Sequence, residues 1–354
     1  MSSRTIRIRR LIYGVCGFFF RHLVLISLGA FLIILITLGV RAKNYLTQAG
    51  LGNLDVFTFI KSPSKILDNT NDRTNILILG VRGEGGDSPD LTDTMLVVSY
   101  SHSKKNFSLI SIPRDLWVSS LKTKINSVYH YGRFKEPNGG GIKLVQSAIL
   151  ETLGLPIHYT AVIDFSLFRE AIDLVGGIDV NVATSFTDNQ FPVEGKETAL
   201  PVSDRYETVT FVAGPNHMDG TTALKFVRSR HAVGDEGTDI ARDHRQQLVI
   251  TALKQKVLTP QFLLNRDKTI SLYKLLRRKL DTNIDEKLYP AIARLALDSY
   301  HQGTNKIVLS YTPDENGVSI LENPPVSSNY QNQWVLIAKD NNWPALQQYI
   351  QNKL

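Results

Sequence analysis

The sequence has little of what several familiar kinds of chemistry require. Its single cysteine, Cys16, excludes a disulfide within the chain and any thiolate metal cluster. Its histidines show no metal-binding spacing of the H-E-x-x-H kind, and the glycine-rich run VRGEGGD lacks the G-K-[ST] ending of a P-loop. No G-x-S-x-G nucleophile elbow occurs either. The sequence therefore gives no support to zincin, P-loop or serine-hydrolase chemistry.

Acidic residues are absent from positions 1–43, which hold seven basic side chains. The net charge of the whole chain is +7, so residues 44–354 sum to zero. A neutral domain has no overall field to hold a polyanion, and the composition therefore argues against a nucleic-acid partner. Any anion site in this domain must be a local cluster of cationic side chains.

The run from Leu23 to Val40 contains 18 residues without a charge. As a helix it would be about 27 Å long, close to the thickness of a hydrocarbon core. No A-x-A cleavage pattern follows it, so we expect an uncleaved transmembrane helix rather than a signal peptide or a buried core helix. Five arginines precede the run, and only Arg41 and Lys43 follow closely. This bias puts the N-terminus in the cytoplasm.

The predicted organisation is that of a single-pass membrane protein. Residues 1–22 form a basic cytoplasmic N-terminus, residues 23–40 the transmembrane helix, residues 41–74 a stalk or linker, and residues 75–354 an extracytoplasmic domain. That domain alternates strand-like runs such as NILILG and HYTAVID with helix-like runs such as FSLFREAIDLVGG. The alternation, together with a hairpin signal, predicts an α/β fold: an α/β/α sandwich with a mixed, mostly central β-sheet.

The stretch from Phe226 to Leu258 places charge where a helix should be apolar. At 100° per residue, Arg242, Arg245 and Gln246 lie on the same face as the apolar stripe that follows them. Arginine forks suit phosphate oxygens and keep their charge at any accessible pH, but burying several of them is costly unless anions neutralise them. The pattern predicts either a phosphate or pyrophosphate pocket or a structural network of arginines and aspartates.

Eight motifs follow one another across roughly residues 74–258: NILILG, LTDTMLV, SIPRD, KINSVYHYG, DFSLFREAIDLVGGIDV, DGTTALKFVRSR, GD and ARDHRQQ. In this order, behind an N-terminal anchor, they resemble the LytR-CpsA-Psr family. The resemblance implies a phosphotransferase anchored in the bacterial cell membrane, with an α/β/α sandwich and an apolar groove for a polyprenyl tail. Such enzymes move a glycopolymer from a polyprenyl (pyro)phosphate carrier to a peptidoglycan sugar hydroxyl, leaving a phosphodiester link.

The same resemblance assigns roles to individual residues. The implied catalytic residues are Asp93, Arg114, Arg228 and Arg230. The implied pyrophosphate-binding residues are Arg114, Lys124, Arg228, Arg230, Asp235, Arg242 and Gln246. Asp93 is also the implied ligand of a Mg²⁺ ion, and Asp93 and Asp235 are the two candidates for the base that accepts the proton of the sugar hydroxyl.

Two positions depart from the family pattern. Arg82 stands where members commonly carry a second metal-binding aspartate, and Leu91 stands where an arginine is common. Glu84, Asp87 or Asp90 could supply the missing carboxylate, or Arg82 could supply positive charge in place of a metal. An alternative function stays open on this ground, namely non-catalytic or pyrophosphatase-like binding of polyprenyl-pyrophosphate lipids at the outer membrane face.

Overall fold

A computed structural model gives the structure of the protein. It describes the residues 37, 47, 58, 61–83, 88–299, 302, 304–313 and 319–354. The chain forms two compact units, Met1–Asn53 and Leu54–Leu354, and all the elements described below belong to the second. No helix in the described ranges is long and apolar enough to cross a membrane. The predicted span from Leu23 to Val40 lies outside those ranges except for Thr37, so it stays a prediction.

Short strands and longer helices alternate along the second unit. The strands are β1 Arg73–Val81, β2 Thr92–Ser101, β3 Asn106–Ser111, β4 Trp117–Val118, β5 Thr123–Lys124, β6 Tyr159–Asp164, β7 Ile178–Val182, β8 Phe186–Pro192, β9 Tyr206–Phe211, β10 Gly214–Met218, β11 Asp281–Thr282, β12 Asn305–Val308, β13 Leu321–Glu322 and β14 Ile337–Ala338. The helices are α1 Val128–Lys135, α2 Gly140–Leu153, α3 Phe165–Val175, α4 Gly220–Arg228, α5 Asp239–Val257, α6 Pro260–Leu263, α7 Arg266–Lys279, α8 Tyr289–Asp298 and α9 Trp343–Lys353.

Six of these strands form the central sheet, in the order β11-β6-β1-β2-β3-β12. β1 runs antiparallel to β2 and parallel to β6, while β3 runs antiparallel to β2 and parallel to β12. The sheet is therefore mixed, and the predicted α/β fold with a central mixed sheet is confirmed. Because β1 and β6 are parallel neighbours, their carboxyl ends meet at one edge of the sheet.

Helices pack on both faces of this sheet. Leu77 and Val97 are paired across β1 and β2, and they point to one face, where they share a buried core with residues of α2 and α9. On the opposite face Tyr100 packs in a smaller core with Leu295 of α8. The alternation of side chains along each strand thus buries both faces, as expected for a sheet between two helical layers.

A second core lies beside the sheet, under α3, α4 and α5. The β8–β9 hairpin contributes Phe186 and Phe211, whose ring centroids are 5.1 Å apart. Phe226 of α4 completes the aromatic group, with its centroid 5.0 Å from that of Phe211. This core fixes the hairpin against α4, and the hairpin loop after β8 then carries Glu194 and Glu197 towards the end of the central sheet.

Three helices that carry site residues begin at capped positions. Asp164 accepts the backbone N–H of Leu167 at 2.7 Å at the start of α3, and Asp219 does the same for Thr222 at the start of α4. Thr238 caps α5 through its hydroxyl. Each cap satisfies a backbone donor that has no partner within its helix, which fixes where the helix starts.

Candidate functional site

The candidate site lies at the edge of the central sheet where β1 and β3 end and β2 begins. Gly80 of β1 pairs with Thr94 of β2, so the residues just outside this pair leave the sheet together. The chain leaves β3 through SIPRD and turns back, and Arg114 Nη1 donates to Asp93 Oδ1 at 2.8 Å. Two predicted catalytic residues, one in β2 and one in the segment after β3, are therefore in direct contact.

A two-stranded hairpin brings Lys124 next to the same pair. Lys124 lies opposite Trp117 in the β4–β5 ladder, and its Nζ donates to Asp115 Oδ1 at 2.6 Å. Asp115 also faces the guanidinium of Arg114, with Oδ2 at 3.5 Å from Nε. Arg114 Nε is itself buried and makes no hydrogen bond. One carboxylate thus holds two predicted phosphate-binding cations side by side.

Arg228 approaches this group from the end of α4. Its side chain is 15 % exposed, and its Nη1 donates to Glu194 Oε1 at 2.9 Å. The guanidinium lies over the ring of Phe165, 4.4 Å from the centroid, and 5.2 Å from that of Phe191. Cation–π contacts of this kind hold a guanidinium in one plane and leave its edge available for a planar anion.

The pKa of Arg228 shows which charges surround it. Burial lowers this pKa below its usual value, the carboxylates of Glu194 and Asp93 raise it, and the guanidiniums of Arg82 and Arg169 lower it. Arg228 stays cationic all the same, because a guanidinium is not deprotonated in a folded protein. Asp93 therefore lies near both Arg114 and Arg228, and the cluster as a whole contains more guanidiniums than the sequence motifs alone predict.

The VRSR segment that carries Arg228 and Arg230 is clamped by two buried charged groups. Asp188 is fully buried and accepts the backbone N–H of Arg230 at 3.0 Å and of His231 at 3.2 Å. Arg245 donates from Nε to the carbonyl of Phe226 and from Nη2 to that of Ser229. These bonds replace water at both edges of the segment and fix its direction.

The inward face predicted for α5 is confirmed. Arg242, Arg245 and Gln246 are only 6 %, 3 % and 9 % exposed. Gln246 Nε2 donates to the hydroxyl of Thr94 at 2.9 Å, one residue from Asp93. Arg242 lines a small cavity of about 30 Å³ together with Arg114. Arg242 and Gln246 therefore reach the site, whereas Arg245 holds the backbone of the VRSR segment. Both predicted arrangements, a phosphate pocket and a structural network, occur on the same face of α5.

Arg230 and Asp235 are placed less centrally. Arg230 is half-buried, and its backbone N–H takes part in the clamp by donating to Asp188. Asp235 is exposed on the 3-10 turn Gly234–Gly237, where its carbonyl accepts from Thr238. Asp235 therefore lies at the surface of this turn, outside the contacts that join Asp93, Arg114 and Arg228.

Sequence reasoning missed three acidic residues that complete the site. Glu194 and Glu197 come from the loop of the β8–β9 hairpin, and Glu194 joins Arg169 to Arg228 through two contacts of 2.9 Å. Glu197 pairs with Arg82 at 3.4 Å, and Asp188 holds the VRSR backbone. Their signal is weak because a polar hairpin loop has no periodicity, and a buried aspartate in a strand resembles a turn residue.

The implied Mg²⁺ site can be tested against the donors present. In the described part of the chain no group of three or more His, Cys, Asp or Glu side chains could hold a metal ion. Asp93 Oδ1 accepts from Arg114, its side chain is 43 % exposed, and its Oδ2 makes no described hydrogen bond. Mg²⁺ is commonly held by one or two carboxylates with substrate phosphates supplying further oxygens. Asp93 fits that role as one protein ligand.

Comparison with known proteins agrees with these motifs. A family model described as the LytR_cpsA_psr family matches residues 54–342. The polyisoprenyl-teichoic acid–peptidoglycan teichoic acid transferase TagU of Oceanobacillus iheyensis is 31 % identical over 182 residues, which is 51 % of this chain and 50 % of that protein. The chain spans about half the length of the first curated relatives that it matches.

Solved structures share the fold at low sequence identity. The crystal structure of Bacillus subtilis TagV superposes with a TM-score of 0.56 at 21 % identity, covering 81 % of this chain and 98 % of that one. TagT with bound octaprenyl pyrophosphate lipid gives a TM-score of 0.52 at 19 % identity, covering 81 % and 92 %. At such identities the likeness concerns the fold, while the site has to be argued from its own residues.

Proposed function

Since this chain belongs to the LytR-CpsA-Psr family, we propose that it is a glycopolymer–peptidoglycan phosphotransferase. It takes a glycopolymer from a polyprenyl (pyro)phosphate carrier and joins it to a sugar hydroxyl of peptidoglycan through a phosphodiester. The observation that carries the proposal is the contact of Arg114 with Asp93 at 2.8 Å, beside the half-buried guanidinium of Arg228. The name of the TagU relative describes a transfer of the same kind.

The arrangement suits phosphoryl transfer because that reaction needs alignment and charge stabilisation more than covalent help. Arg114 and Arg228 approach from different elements, so two phosphate groups could be held between them. Arg114 contacts Asp93 and Arg228 contacts Glu194, and the side chain of each carboxylate is 43 % exposed. A bound pyrophosphate would replace Glu194 on Arg228, exchanging one charge-assisted pair for another rather than uncovering a buried cation.

The bond changes balance without any further reactant. The oxygen of the acceptor hydroxyl bonds to the phosphorus next to the glycopolymer, and the bond from that phosphorus to the bridging oxygen breaks. The polyprenyl phosphate leaves with the electron pair of that bond, and the arginines stabilise its charge. The hydroxyl proton passes to a base, for which Asp93 and Asp235 are our candidates.

We assign Asp93 as the protein ligand of a Mg²⁺ ion at this site. When bound, such an ion neutralises charge on phosphate oxygens. Arg82, which pairs with Glu197 at the mouth of the site, adds positive charge on the side where family members commonly carry a second carboxylate. Arg114 and Arg228 orient the phosphates, and Gln246 fixes Thr94 beside Asp93.

We also propose that residues 23–40 anchor the domain in the bacterial cell membrane with the N-terminus in the cytoplasm. The charge-free run and the arginines before it support this topology. Lipid-linked donor and peptidoglycan then meet the domain on the outer side of the membrane. The domain from residue 44 onwards is neutral overall, which suits a local phosphate site rather than a nucleic-acid surface.

The test uses the full chain in detergent with a polyprenyl-pyrophosphate disaccharide and uncross-linked peptidoglycan. Arg228→Ala is expected to lower transfer at least a hundredfold, since removing one donor to a developing oxyanion costs about 10²–10³ in rate. Arg278→Ala is the matched control, because it removes an exposed arginine paired with Glu170. Transfer by folded Arg228→Ala at the rate of the control would refute the assignment.

A further inference from the structure

A large cavity lined by charged side chains opens beside the arginine cluster. Its volume is about 940 Å³, near the upper end of the range of about 300–1,000 Å³ for small-molecule sites. Its walls come from the end of β1, the start of α3, the loop after β8 and helix α1. The charged residues that line it are Asp90, Asp164, Glu194, Glu197, Asp281, Arg82, Arg133, Arg169 and Lys279.

These charges are arranged in pairs rather than as a field of one sign. Arg133 Nη1 donates to Asp90 Oδ1 at 2.6 Å, and the hydroxyl of Tyr129 donates to Asp281 Oδ2 at 2.5 Å. Arg82 pairs with Glu197 at 3.4 Å, and Lys279 Nζ donates to Glu170 Oε1 at 2.6 Å. Five carboxylates against four cations among the described lining residues leave no excess positive charge for an anion.

The same pairing disfavours a hydrocarbon tail as the occupant, although Val81, Val162 and Phe165 also line the cavity. Covering charged side chains with an alkyl chain would take them out of water without new hydrogen bonds, at a cost of several kcal/mol per group. A sugar fits instead, because each hydroxyl donates one hydrogen bond and accepts two. A carboxylate next to a guanidinium offers both complementary roles to neighbouring hydroxyls.

The cavity is continuous with the arginine cluster. Glu194 lines the cavity and contacts Arg169 within it, and its other oxygen contacts Arg228 of the cluster. Arg82 also lines the cavity and lies close enough to Arg228 to lower its pKa. A sugar seated here would therefore have a hydroxyl or a phosphate-bearing carbon next to the phosphates that Arg228 holds.

We propose that this cavity is a saccharide subsite of the transferase, a proposal that rests on the function proposed above. The subsite binds a polyhydroxylated, uncharged portion of a glycan through Asp90, Arg133, Tyr129 and Asp281. Two glycans share that chemistry, the sugar next to the pyrophosphate of the donor and the acceptor sugar of peptidoglycan.

The experiment measures KM for each glycan separately, using the full chain with Arg133→Ala or the isosteric Asp90→Asn. Arg133 is half exposed, so its loss should leave folding intact, which a thermal melt verifies. Losing one hydrogen bond to a charged group should raise the KM of one glycan about tenfold. A rise for peptidoglycan assigns the acceptor, and a rise for the polyprenyl-pyrophosphate disaccharide assigns the donor sugar. Arg278→Ala again serves as the control.

Direct binding separates failure of the subsite from failure of the proposed function. Titrating wild type and Arg133→Ala with a muropeptide and with the disaccharide of the donor, by calorimetry, reports on the subsite even without turnover. Prenyl pyrophosphate without sugar should bind Arg133→Ala and wild type equally. If both variants are folded and keep both KM values and both saccharide affinities within twofold of wild type, the subsite is refuted. Loss of transfer only in Arg228→Ala would then leave the proposed function standing.

Discussion

Arg245 is the residue whose replacement most clearly separates the structural arginine of α5 from those at the site. Its guanidinium is 3 % exposed and donates to the carbonyls of Phe226 and Ser229 at 3.0 and 2.6 Å. It also donates to the backbone carbonyl and to the side chain of Glu236, at 2.9 Å each. The change Arg245→Lys keeps the positive charge, but one ammonium cannot reproduce the hydrogen bonds of the guanidinium to all four acceptors.

The expected cost follows from the acceptors that lose their donor. A buried carbonyl without a hydrogen-bond donor costs about 1–3 kcal/mol. A lysine at position 245 leaves at least one carbonyl without a donor and keeps only part of the contact with Glu236. We expect Arg245→Lys to lower the free energy of unfolding by about 2–4 kcal/mol. With an unfolding entropy of about 2.1 cal/mol/K per residue over roughly 300 residues, Tm should fall by about 3–6 °C.

Circular dichroism during thermal and urea unfolding measures this change, with Arg278→Lys as a control on an exposed arginine. Transfer should fall as well, because the carbonyls that Arg245 holds belong to the segment that carries Arg228. Stability within about 0.5 kcal/mol of wild type, the usual range for surface changes, would show that the clamp contributes nothing and would refute this reasoning.

Two further predictions concern packing and pH. Gly220→Ala would place a Cβ 2.3 Å from the carbonyl oxygen of Arg169, so α3 and α4 must move apart. We expect this variant to lose both stability and transfer activity relative to the control Thr221→Ala. Unchanged stability and transfer would contradict the close packing of the two helices. Burial lowers the pKa of His158 below its usual 6.5, so its stabilising contribution is complete above that pH and is lost as pH falls towards the folded pKa. From about pH 7.5 to about pH 5.5, wild type should therefore lose more unfolding free energy than His158→Gln; equal losses would contradict this.

The parts of the fold that depend on local pattern were predictable. The apolar run NILILG and the helix-like run after HYTAVID predict β1 and α3, and the face of α5 that carries Arg242 is buried as its periodicity predicts. These features follow from side-chain period and capping, which act over a few residues.

The different roles of the arginines on that face of α5 could not be predicted from the sequence. Arg242 and Arg245 lie three residues apart on one side of α5, and only their neighbours decide that Arg245 donates to backbone carbonyls. The role of Glu194 could not be predicted for a related reason. It stands in a polar loop, and its two arginine partners come from α3 and α4, 25 and 34 residues away in the chain. Contacts of that kind depend on tertiary packing, which a single sequence does not encode as a period.

The most direct test of the central claim is to identify the products formed from a polyprenyl-pyrophosphate disaccharide and peptidoglycan. Phosphorus NMR and mass spectrometry of a reaction with the full chain distinguish the possible outcomes. We expect polyprenyl monophosphate together with a phosphodiester between disaccharide and peptidoglycan, and we expect neither product with Arg228→Ala. Free disaccharide phosphate without any phosphodiester, or unchanged donor in the presence of Mg²⁺, would contradict it.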